Sequence, residues 1–338
     1  MAARAPIWGC RFANRSIPLS TSPLVSASPA QGLVLRSART AAFFSSKTVS
    51  SEDGPVKLAF DLHRPEKPVA DDKTRPILFL HGLFGSKKNN RSISKVLAQD
   101  LGRSIYALDL RNHGESSHVA RHDYMAMADD VANFIHEHDL SDPTIIGHSM
   151  GAKTAMVLAL KSPDLVRDII PVDNAPIDAA LLSNFGKYVR GMKDVERGRV
   201  SRQAEADKIL QPYESSLTIR HFLLGNMHRV KVPKDDPSPE AGKHIMQFRI
   251  PLDTLGKALD TLGDFPFKDP NEVRFKKPAL FVRGTKSRYV PDEALPIIGQ
   301  FFPRFEVADV EAGHWLISEN PEAFRQAVVR FLTPKDDE

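Results

Sequence analysis

The segment from Thr144 to Lys161 restricts the possible folds of this chain more than any other stretch. An apolar run, Thr144-Ile145-Ile146, leads into Gly147-His148-Ser149-Met150-Gly151, and a helix-forming segment follows at once. This is a G-x-S-x-G motif in the strand–turn–helix context that gives it meaning. A turn so sharp needs small residues on both sides of the serine, and the two glycines meet that need. The pattern predicts that the Ser149 hydroxyl lies above a sheet, where a helix N-terminus stabilises developing negative charge.

Buried strands and amphipathic helices alternate on either side of this motif. Continuous apolar runs are typical of strands buried on both faces, and apolar residues at helical spacing follow them. The predicted strands are Val56–Phe60, Ile77–Leu80, Ser104–Leu108, Pro143–Gly147, Val166–Val172, Ala279–Val282 and Phe305–Val310. This alternation predicts an α/β fold with a mostly parallel central sheet flanked by helices. In such sheets functional groups gather at the carboxyl ends of the strands. The polar residues at such ends are His81, Asp109, Ser149 and Asp173.

Residues 175–267 interrupt the alternation. Helical segments recur there without clear strands, and a polar, proline-rich loop at Lys231–Pro239 separates them. The predicted helices are Leu181–Met192, Ala204–Leu210, Thr218–Leu224 and Leu252–Leu262. We interpret residues 175–267 as a helical cap inserted over the sheet edge. The cap divides the core into residues 51–174 and residues 268–338.

The amino terminus has a composition of its own. Residues 1–51 contain no Asp or Glu but six Lys and Arg residues, and Ser, Ala and Pro fill much of the remainder. This composition is typical of a mitochondrial transit peptide, so we predict one at residues 1–50 and a mitochondrial location, in the matrix. Serines and three prolines interrupt the uncharged span Ser16–Val34, which argues against a membrane helix there.

The leader also accounts for the basic charge of the chain. Without its six positive charges the formal net charge of +4 becomes −2, which gives no reason to expect a nucleic-acid partner. The only cysteine, Cys10, lies in the leader. The processed chain would therefore have no disulfide, no thiol nucleophile and no cysteine-ligated metal.

Taken together, three motifs resemble those of the α/β-hydrolase superfamily over nearly all of residues 56–332. They are the elbow Gly147–Gly151, the turn His81–Ser86 and the loop Ala312-Gly313-His314-Trp315. The superfamily requires the chain order serine, acid, histidine. Three residues obey that order: Ser149, Asp173 and His314. The serine would be the nucleophile, the histidine its general base and the aspartate the group that holds the imidazole tautomer.

The position of the acid has an alternative. Many members of the superfamily carry it after the next strand, but Arg283–Arg288 contains no carboxylate, and Ser287 occupies roughly the expected place. The first carboxylate beyond that strand is Asp292. We predict Asp173 as the acid, with Asp292 as the alternative.

The resemblance also indicates the oxyanion donors and the substrate contacts. One backbone donor should come from Met150, the residue after the nucleophile, and the other from Leu83, with Phe84 as the alternative. The side chains that we expect to contact substrate are those of Phe84, His148 and Trp315.

For the other polar residues near the predicted site we expect structural roles rather than catalytic ones. We expect His81 to support the oxyanion turn, and Asp109 and Arg111 to fix loops by local hydrogen bonds. Three histidines, at positions 113, 118 and 122, have no carboxylate or cysteine pattern beside them that would indicate a metal. A basic run is interpreted as a solvated helix face, with contact to the phosphates of an acyl-CoA as the alternative. The run comprises Arg190, Lys193, Arg197, Arg199 and Arg202.

A narrower resemblance rests on the turn His81–Ser86 combined with Gly147–Met156 and the cap segment Phe248-Arg249-Ile250-Pro251-Leu252. Together these are similar to the mitochondrial α/β-hydrolase domain-containing protein 11 group, its fungal relatives and bacterial acyl esterases, and to the yeast ethanol acetyltransferases. The resemblance implies hydrolysis of esters or thioesters, or acyl transfer to an alcohol, through one acyl-enzyme. It implies no metal and no bound cofactor.

The prediction is therefore a serine hydrolase that acts on short- or medium-chain acyl esters or thioesters, with a small-molecule substrate and no nucleic-acid partner. The first rival is an alcohol O-acetyltransferase that uses acetyl-CoA, because water and alcohol compete for the same acyl-enzyme. The second rival is a non-catalytic binding protein with the same fold in the mitochondrial matrix. The triad Ser149, Asp173 and His314 argues against that second rival.

Overall fold

The computed structural model describes residues 54–178 and 185–333. The leader predicted at residues 1–50, and residues 181–184 of a predicted cap helix, lie outside those ranges. The strands are β1 Phe60–His63, β2 Ile77–Leu80, β3 Ile105–Leu108, β4 Thr144–His148, β5 Asp168–Val172, β6 Met227–Lys231, β7 His244–Phe248, β8 Ala279–Gly284 and β9 Phe305–Val310. The helices are α1 Arg91–Leu101, α2 Tyr124–Glu137, α3 Met150–Lys161, α4 Phe185–Arg197, α5 Gln203–Leu210, α6 Leu217–Leu224, α7 Leu252–Lys257, α8 Leu259–Gly263, α9 Leu295–Phe301, α10 Leu316–Glu319 and α11 Pro321–Leu332.

Seven strands form the central sheet, in the order β1-β3-β2-β4-β5-β8-β9. Only β1 runs antiparallel to its neighbour, and all other pairs are parallel. The predicted α/β fold with a mostly parallel sheet is thereby confirmed. The first strand begins at Phe60 rather than at Val56, whose N–H instead donates to the buried carboxylate of Asp130 (2.8 Å).

Both faces of the sheet are covered, which explains the continuous apolar runs. Successive residues of β2 point to opposite sides. Ile77 and Phe79 belong to the hydrophobic cluster on one side of the sheet, together with Phe324 of α11. Leu78 and Leu80 belong to the larger hydrophobic cluster on the other side. All four β2 side chains are fully buried.

The segment between β5 and β8 is mainly helical, as predicted, but it also contains strands. The prediction of a cap without strands was wrong in this respect, because β6 and β7 pair as an antiparallel hairpin. The error has a physical reason: β6 has no fully buried residue and β7 buries only Ile245 and Phe248, so their apolar alternation is weak. The helix predicted at Leu252–Leu262 is two short helices, α7 and α8, divided at Ala258.

Within residues 54–178 and 185–333, no helix combines the length and the apolar character that crossing a bilayer requires.

Candidate active site

The elbow between β4 and α3 has the strained conformation that its sequence predicts. Ser149 has φ 53° and ψ −111°, a region that side-chain-bearing residues rarely adopt. The flanking glycines are required by close backbone approach. A Cβ on Gly147 would lie 2.1 Å from the carbonyl oxygen of Gly151, and one on Gly151 would lie 2.6 Å from that of Leu80. The elbow therefore holds Ser149 at the carboxyl end of the central strand and at the start of α3.

The structure brings Ser149, His314 and Asp173 into one hydrogen-bonded chain. His314 Nδ1 lies 2.7 Å from Asp173 Oδ2, and its Nε2 lies 3.0 Å from Ser149 Oγ. A carboxylate oxygen only accepts hydrogen bonds, so Nδ1 carries the proton and Nε2 presents its lone pair to the serine hydroxyl. This is the tautomer that a general base for serine requires.

Asp173 is held by two further donors, whereas Asp292 lies elsewhere. The Gly284 N–H donates to Asp173 Oδ1 (3.0 Å), and the Ser287 hydroxyl donates to Oδ2. The side chain of Asp292 is 78% exposed and pairs with Arg283. Of the two acids considered from the sequence, only Asp173 contacts the histidine.

The turn after β2 lies directly against the nucleophile. A Cβ on Gly82 would be 3.2 Å from the Cβ of Ser149. The N–H of Phe84 donates to Nε2 of His113 (3.1 Å), so the alternative oxyanion donor is already paired. Among the described residues, neither the Leu83 nor the Met150 amide has an acceptor. These two amides therefore remain able to bind an oxyanion.

Three buried histidines support the site in their neutral form. His81 accepts from the Leu110 N–H at Nε2 and donates from Nδ1 to the Gly82 carbonyl (2.8 Å), as expected for a support of the turn. Burial lowers the pKa of His81, and burial together with neighbouring histidines holds the pKa of His113 well below 6.5. His148 Nε2 contacts the His314 carbonyl (2.8 Å), and burial, followed by the proximity of His314, lowers the pKa of His148 to about 4.

Asp109 and Arg111 are held by structural contacts, Asp109 by neighbouring turns and Arg111 by helix α2. Asp109 accepts from the amide and the ammonium of Lys87 and from the Glu115 N–H. Arg111 forms a bidentate pair with Asp130, at 2.6 and 2.7 Å. Within the described ranges no group of three or more His, Cys, Asp or Glu side chains is arranged to hold a metal ion.

The basic run of the cap is largely neutralised within the protein. Four of its five members form ion pairs, and each partner is an acidic residue of the cap. The pairs are Lys193–Asp253, Arg197–Asp194, Arg199–Asp236, Arg199–Glu240 and Arg202–Glu205. This arrangement favours the interpretation as a solvated helix face over a phosphate site.

A cavity of about 490 Å³ lies next to the elbow and the oxyanion turn, which contribute His148 and Gly82 to its wall; Ser149 and His314 are not among its wall residues. Three segments form the wall of the cavity: the oxyanion turn with α1, the cap helix α6, and the segment around α10. The wall includes Gly82, His148, Thr218, Ile219, Phe222 and Trp315. The structure thus places two of the three expected substrate contacts, His148 and Trp315, at the cavity. Phe84 is not in its wall, because its buried side chain packs edge-on against Phe185 instead (5.7 Å between ring centroids).

Two residues of the site escaped the sequence analysis. The Tyr289 ring stacks on the imidazole of His314, with centroids 4.0 Å apart and planes at 23°. Ser287, which the sequence analysis treated only as the residue where an acid was missing, donates to the acid itself. Its position after β8 was the one available signal for that contact.

A mostly parallel sheet of this order, with a serine elbow after its central strand, Asp173 after β5 and His314 in the loop after β9, is the arrangement of the α/β hydrolases. The sequence model of the alpha/beta hydrolase fold family matches residues 75–321. The chain belongs to that family.

Several proteins are similar to this chain over most of their length. A probable alcohol acetyltransferase of Saccharomyces cerevisiae is 40% identical over 303 residues, which are 86% of this chain and 87% of that protein. The mouse sn-1-specific diacylglycerol lipase ABHD11 is 35% identical over 299 residues, 86% of this chain and 91% of that protein. A solved marine microorganism esterase superposes with a TM-score of 0.71 at 30% identity, covering 82% of this chain and 99% of the other. The resemblance to the domain-containing protein 11 group and its yeast relatives is confirmed, and these relatives support a hydrolase-type activity.

Proposed function

We propose that the protein is a serine hydrolase that cleaves short- or medium-chain acyl esters or thioesters through an acyl-enzyme on Ser149. The observation that carries the proposal is the chain from Ser149 Oγ through His314 to Asp173, with contacts of 3.0 and 2.7 Å. A hydroxyl becomes an effective nucleophile when a base within hydrogen-bond reach accepts its proton.

In the first half-reaction Ser149 Oγ attacks the acyl carbon while His314 Nε2 takes the hydroxyl proton. The negative charge that develops on the carbonyl oxygen would be stabilised by the amides of Leu83 and Met150, and by the N-terminus of α3. The bond to the leaving group breaks, and His314 returns the proton to the departing alkoxide or thiolate. In the second half, water gives a proton to His314 and attacks the acyl carbon. The bond between that carbon and Ser149 Oγ then breaks, His314 returns the proton to Oγ, and the carboxylic acid leaves.

The cavity supports an acyl group longer than acetyl. Its volume of about 490 Å³ lies within the roughly 300–1,000 Å³ typical of pockets for drug-sized ligands. The side chains that α6 and α10–α11 contribute include Ile219, Phe222 and Ile317, all apolar. An acyl chain gains about 0.8 kcal/mol for each methylene that it buries there.

Two experiments test the proposal. Ser149→Ala should abolish turnover of p-nitrophenyl acyl esters, and a fluorophosphonate probe should label Ser149 in the wild type. Unchanged turnover in Ser149→Ala would refute the mechanism. A series of esters from acetyl to dodecanoyl tests the cavity, since Ile219→Trp, which narrows it, should move the preferred chain length downward.

An alcohol O-acetyltransferase is the second candidate, and the 40% identity to a probable alcohol acetyltransferase favours it. Both activities use the same acyl-enzyme, which is resolved by water in one and by an alcohol in the other. Incubation with acetyl-CoA and ethanol separates them by the ratio of ethyl acetate to free acetate. A ratio dominated by ethyl acetate would make transfer the main activity.

A further inference from the structure

The oxyanion turn contains a residue in a strained conformation. Phe84, which follows the proposed donor Leu83, has φ 61°. For a residue with a side chain this left-handed conformation costs roughly 1–2 kcal/mol, so it persists only where neighbouring groups stabilise it. The Leu83 N–H belongs to the Gly82–Leu83 peptide, one unit before Phe84, so the path of the turn that carries this donor depends on how Phe84 is held.

Two hydrogen bonds from different parts of the molecule hold Phe84. On the core side its N–H donates to His113 Nε2 (3.1 Å), and His113 is itself fixed by the Arg111 carbonyl (2.9 Å). On the cap side its carbonyl accepts from the side-chain amide of Asn226 (2.7 Å). The chain separation between Asn226 and Phe84 is 142 residues, and the Asn226 side chain is buried.

Asn226 is firmly placed within the cap. It follows α6, the helix that contributes Thr218, Ile219 and Phe222 to the cavity wall. Its own N–H donates to the Leu223 carbonyl (3.1 Å), and its carbonyl accepts from the Arg249 N–H (2.8 Å). The position of α6 over the cavity is thus connected directly to the backbone of the oxyanion turn.

We propose that Asn226 is a positioning residue that holds the oxyanion turn in its competent conformation and couples it to the seating of the cap helix α6. The inference rests on the proposed function, in which the Leu83 amide binds the oxyanion. When α6 is seated, Asn226 clamps the Phe84 carbonyl and the Leu83 amide faces Ser149. When α6 is displaced, the clamp is lost and the turn relaxes from its left-handed conformation.

The test compares Asn226→Asp and Asn226→Ala with the wild type. Asn226→Asp keeps the shape of the side chain but replaces the donor to the Phe84 carbonyl with an acceptor. Removing an oxyanion donor outright lowers kcat by about 10²–10³-fold. Because the Leu83 amide is misdirected rather than lost, we expect kcat to fall about 10- to 100-fold in both variants, with KM changed less than about threefold. Binding of a trifluoromethyl ketone, which mimics the tetrahedral oxyanion, should weaken by the same factor as kcat/KM falls.

Arg199→Gln is the matched control. Arg199 lies in the cap outside α6, and its side chain binds Asp236, Ser238 and Glu240 and has no contact to the oxyanion turn. Its replacement should lower the thermal midpoint, while kcat per active site stays at the wild-type value. The endpoint of fluorophosphonate labelling counts the folded, competent molecules in each sample.

A structural readout separates failure of this inference from failure of the proposed function. Hydrogen exchange of the peptide that contains residues 82–86 should accelerate in Asn226→Asp and stay at the wild-type rate in Arg199→Gln. That result would support the clamp even if the wild type cleaved no ester. The inference would be overturned if Asn226→Asp kept the wild-type kcat per active site (counted by labelling a parallel sample), the wild-type affinity for the ketone and the wild-type exchange rate.

Discussion

Replacing Asp173 by Asn tests most directly whether this residue fixes the tautomer of the base His314. Every group that faces the carboxylate donates a hydrogen bond to it, so an amide cannot satisfy all of these contacts in either orientation. Oδ2 accepts from His314 and from Ser287, and Oδ1 accepts from the Gly284 N–H. An amide must place its NH₂ group at one of these two positions. Facing Gly284, the NH₂ opposes another donor. Facing His314, it forces the imidazole proton onto Nε2, where the lone pair for Ser149 is needed.

The expected loss follows from this tautomer change. The same substitution in a serine protease triad lowers kcat about 10⁴-fold. We expect Asp173→Asn to lower kcat by about 10³- to 10⁴-fold, which corresponds to about 4–5 kcal/mol of lost transition-state stabilisation. KM for a p-nitrophenyl ester should change little, since the carboxylate is fully buried behind the imidazole and is not in the cavity wall.

Asp292→Asn is the control for this prediction. Its side chain is 78% exposed, and a surface ion pair such as Asp292–Arg283 contributes about 0–1 kcal/mol. Steady-state kinetics give kcat and KM for both variants, and far-ultraviolet circular dichroism verifies that both are folded. The comparison identifies which aspartate is the acid of the triad. A kcat within tenfold of wild type for Asp173→Asn, or a greater loss for Asp292→Asn, would refute the assignment of the acid.

Three further perturbations test other parts of the site. Ser287→Ala removes one donor from Asp173 but leaves the hydrogen bond between Asp173 and His314, so kcat should fall only about tenfold. Ser287→Thr keeps a hydroxyl and should restore kcat, whereas full activity in Ser287→Ala would contradict a role for this hydrogen bond. Gly147→Ala places a methyl group 2.1 Å from a backbone oxygen and should destabilise the fold by about 3 kcal/mol or more in urea unfolding, whereas Gly186→Ala, whose Cβ meets nothing nearer than 3.8 Å, should not. Burial lowers the pKa of His122 to about 4, so between pH 6.5 and 4 the unfolded chain binds more protons and stability falls as the pH falls. The free energy of unfolding should drop by about 2 kcal/mol less from pH 7 to pH 5 in His122→Gln than in the wild type, and equal slopes would exclude this contribution.

The sheet and the placement of the site residues were predictable because both follow local patterns. A strand such as Ile77–Leu80 is identified by its continuous apolar run, and the polar residue after it lies at the carboxyl end of the sheet. The turn at Ser149 requires glycine on both sides because a Cβ at either position would clash with backbone atoms. This requirement is visible in a motif of only five consecutive residues. Chain order, together with the resemblance to the superfamily and the lack of a carboxylate in Arg283–Arg288, then selected a histidine and an acid that the structure places in contact.

The contacts that were not predictable join segments distant in the chain. The hydrogen bond from Asn226 to Phe84 and the stacking of Tyr289 on His314 depend on how the cap and the loops pack, for which no local pattern exists. The hairpin β6–β7 was missed for a related reason. Its strands are stabilised by pairing with each other and by contact with cap helices, so their own sequence shows little of the alternation that marks a half-buried strand.

The position of the acid is explained by the order of the strands. In the sheet β5 and β8 are adjacent and parallel, so the residues that follow them meet at the same place. The Asp173 N–H donates to the Val282 carbonyl at the end of β8, and the Ser287 hydroxyl reaches the carboxylate of Asp173. An acid supplied after either strand can therefore reach the same nitrogen of His314. In this chain the carboxylate is that of Asp173, after β5. Ser287, after β8, donates a hydrogen bond that holds this carboxylate against the imidazole of His314. Ser287 therefore helps to position the acid although it carries no charge itself.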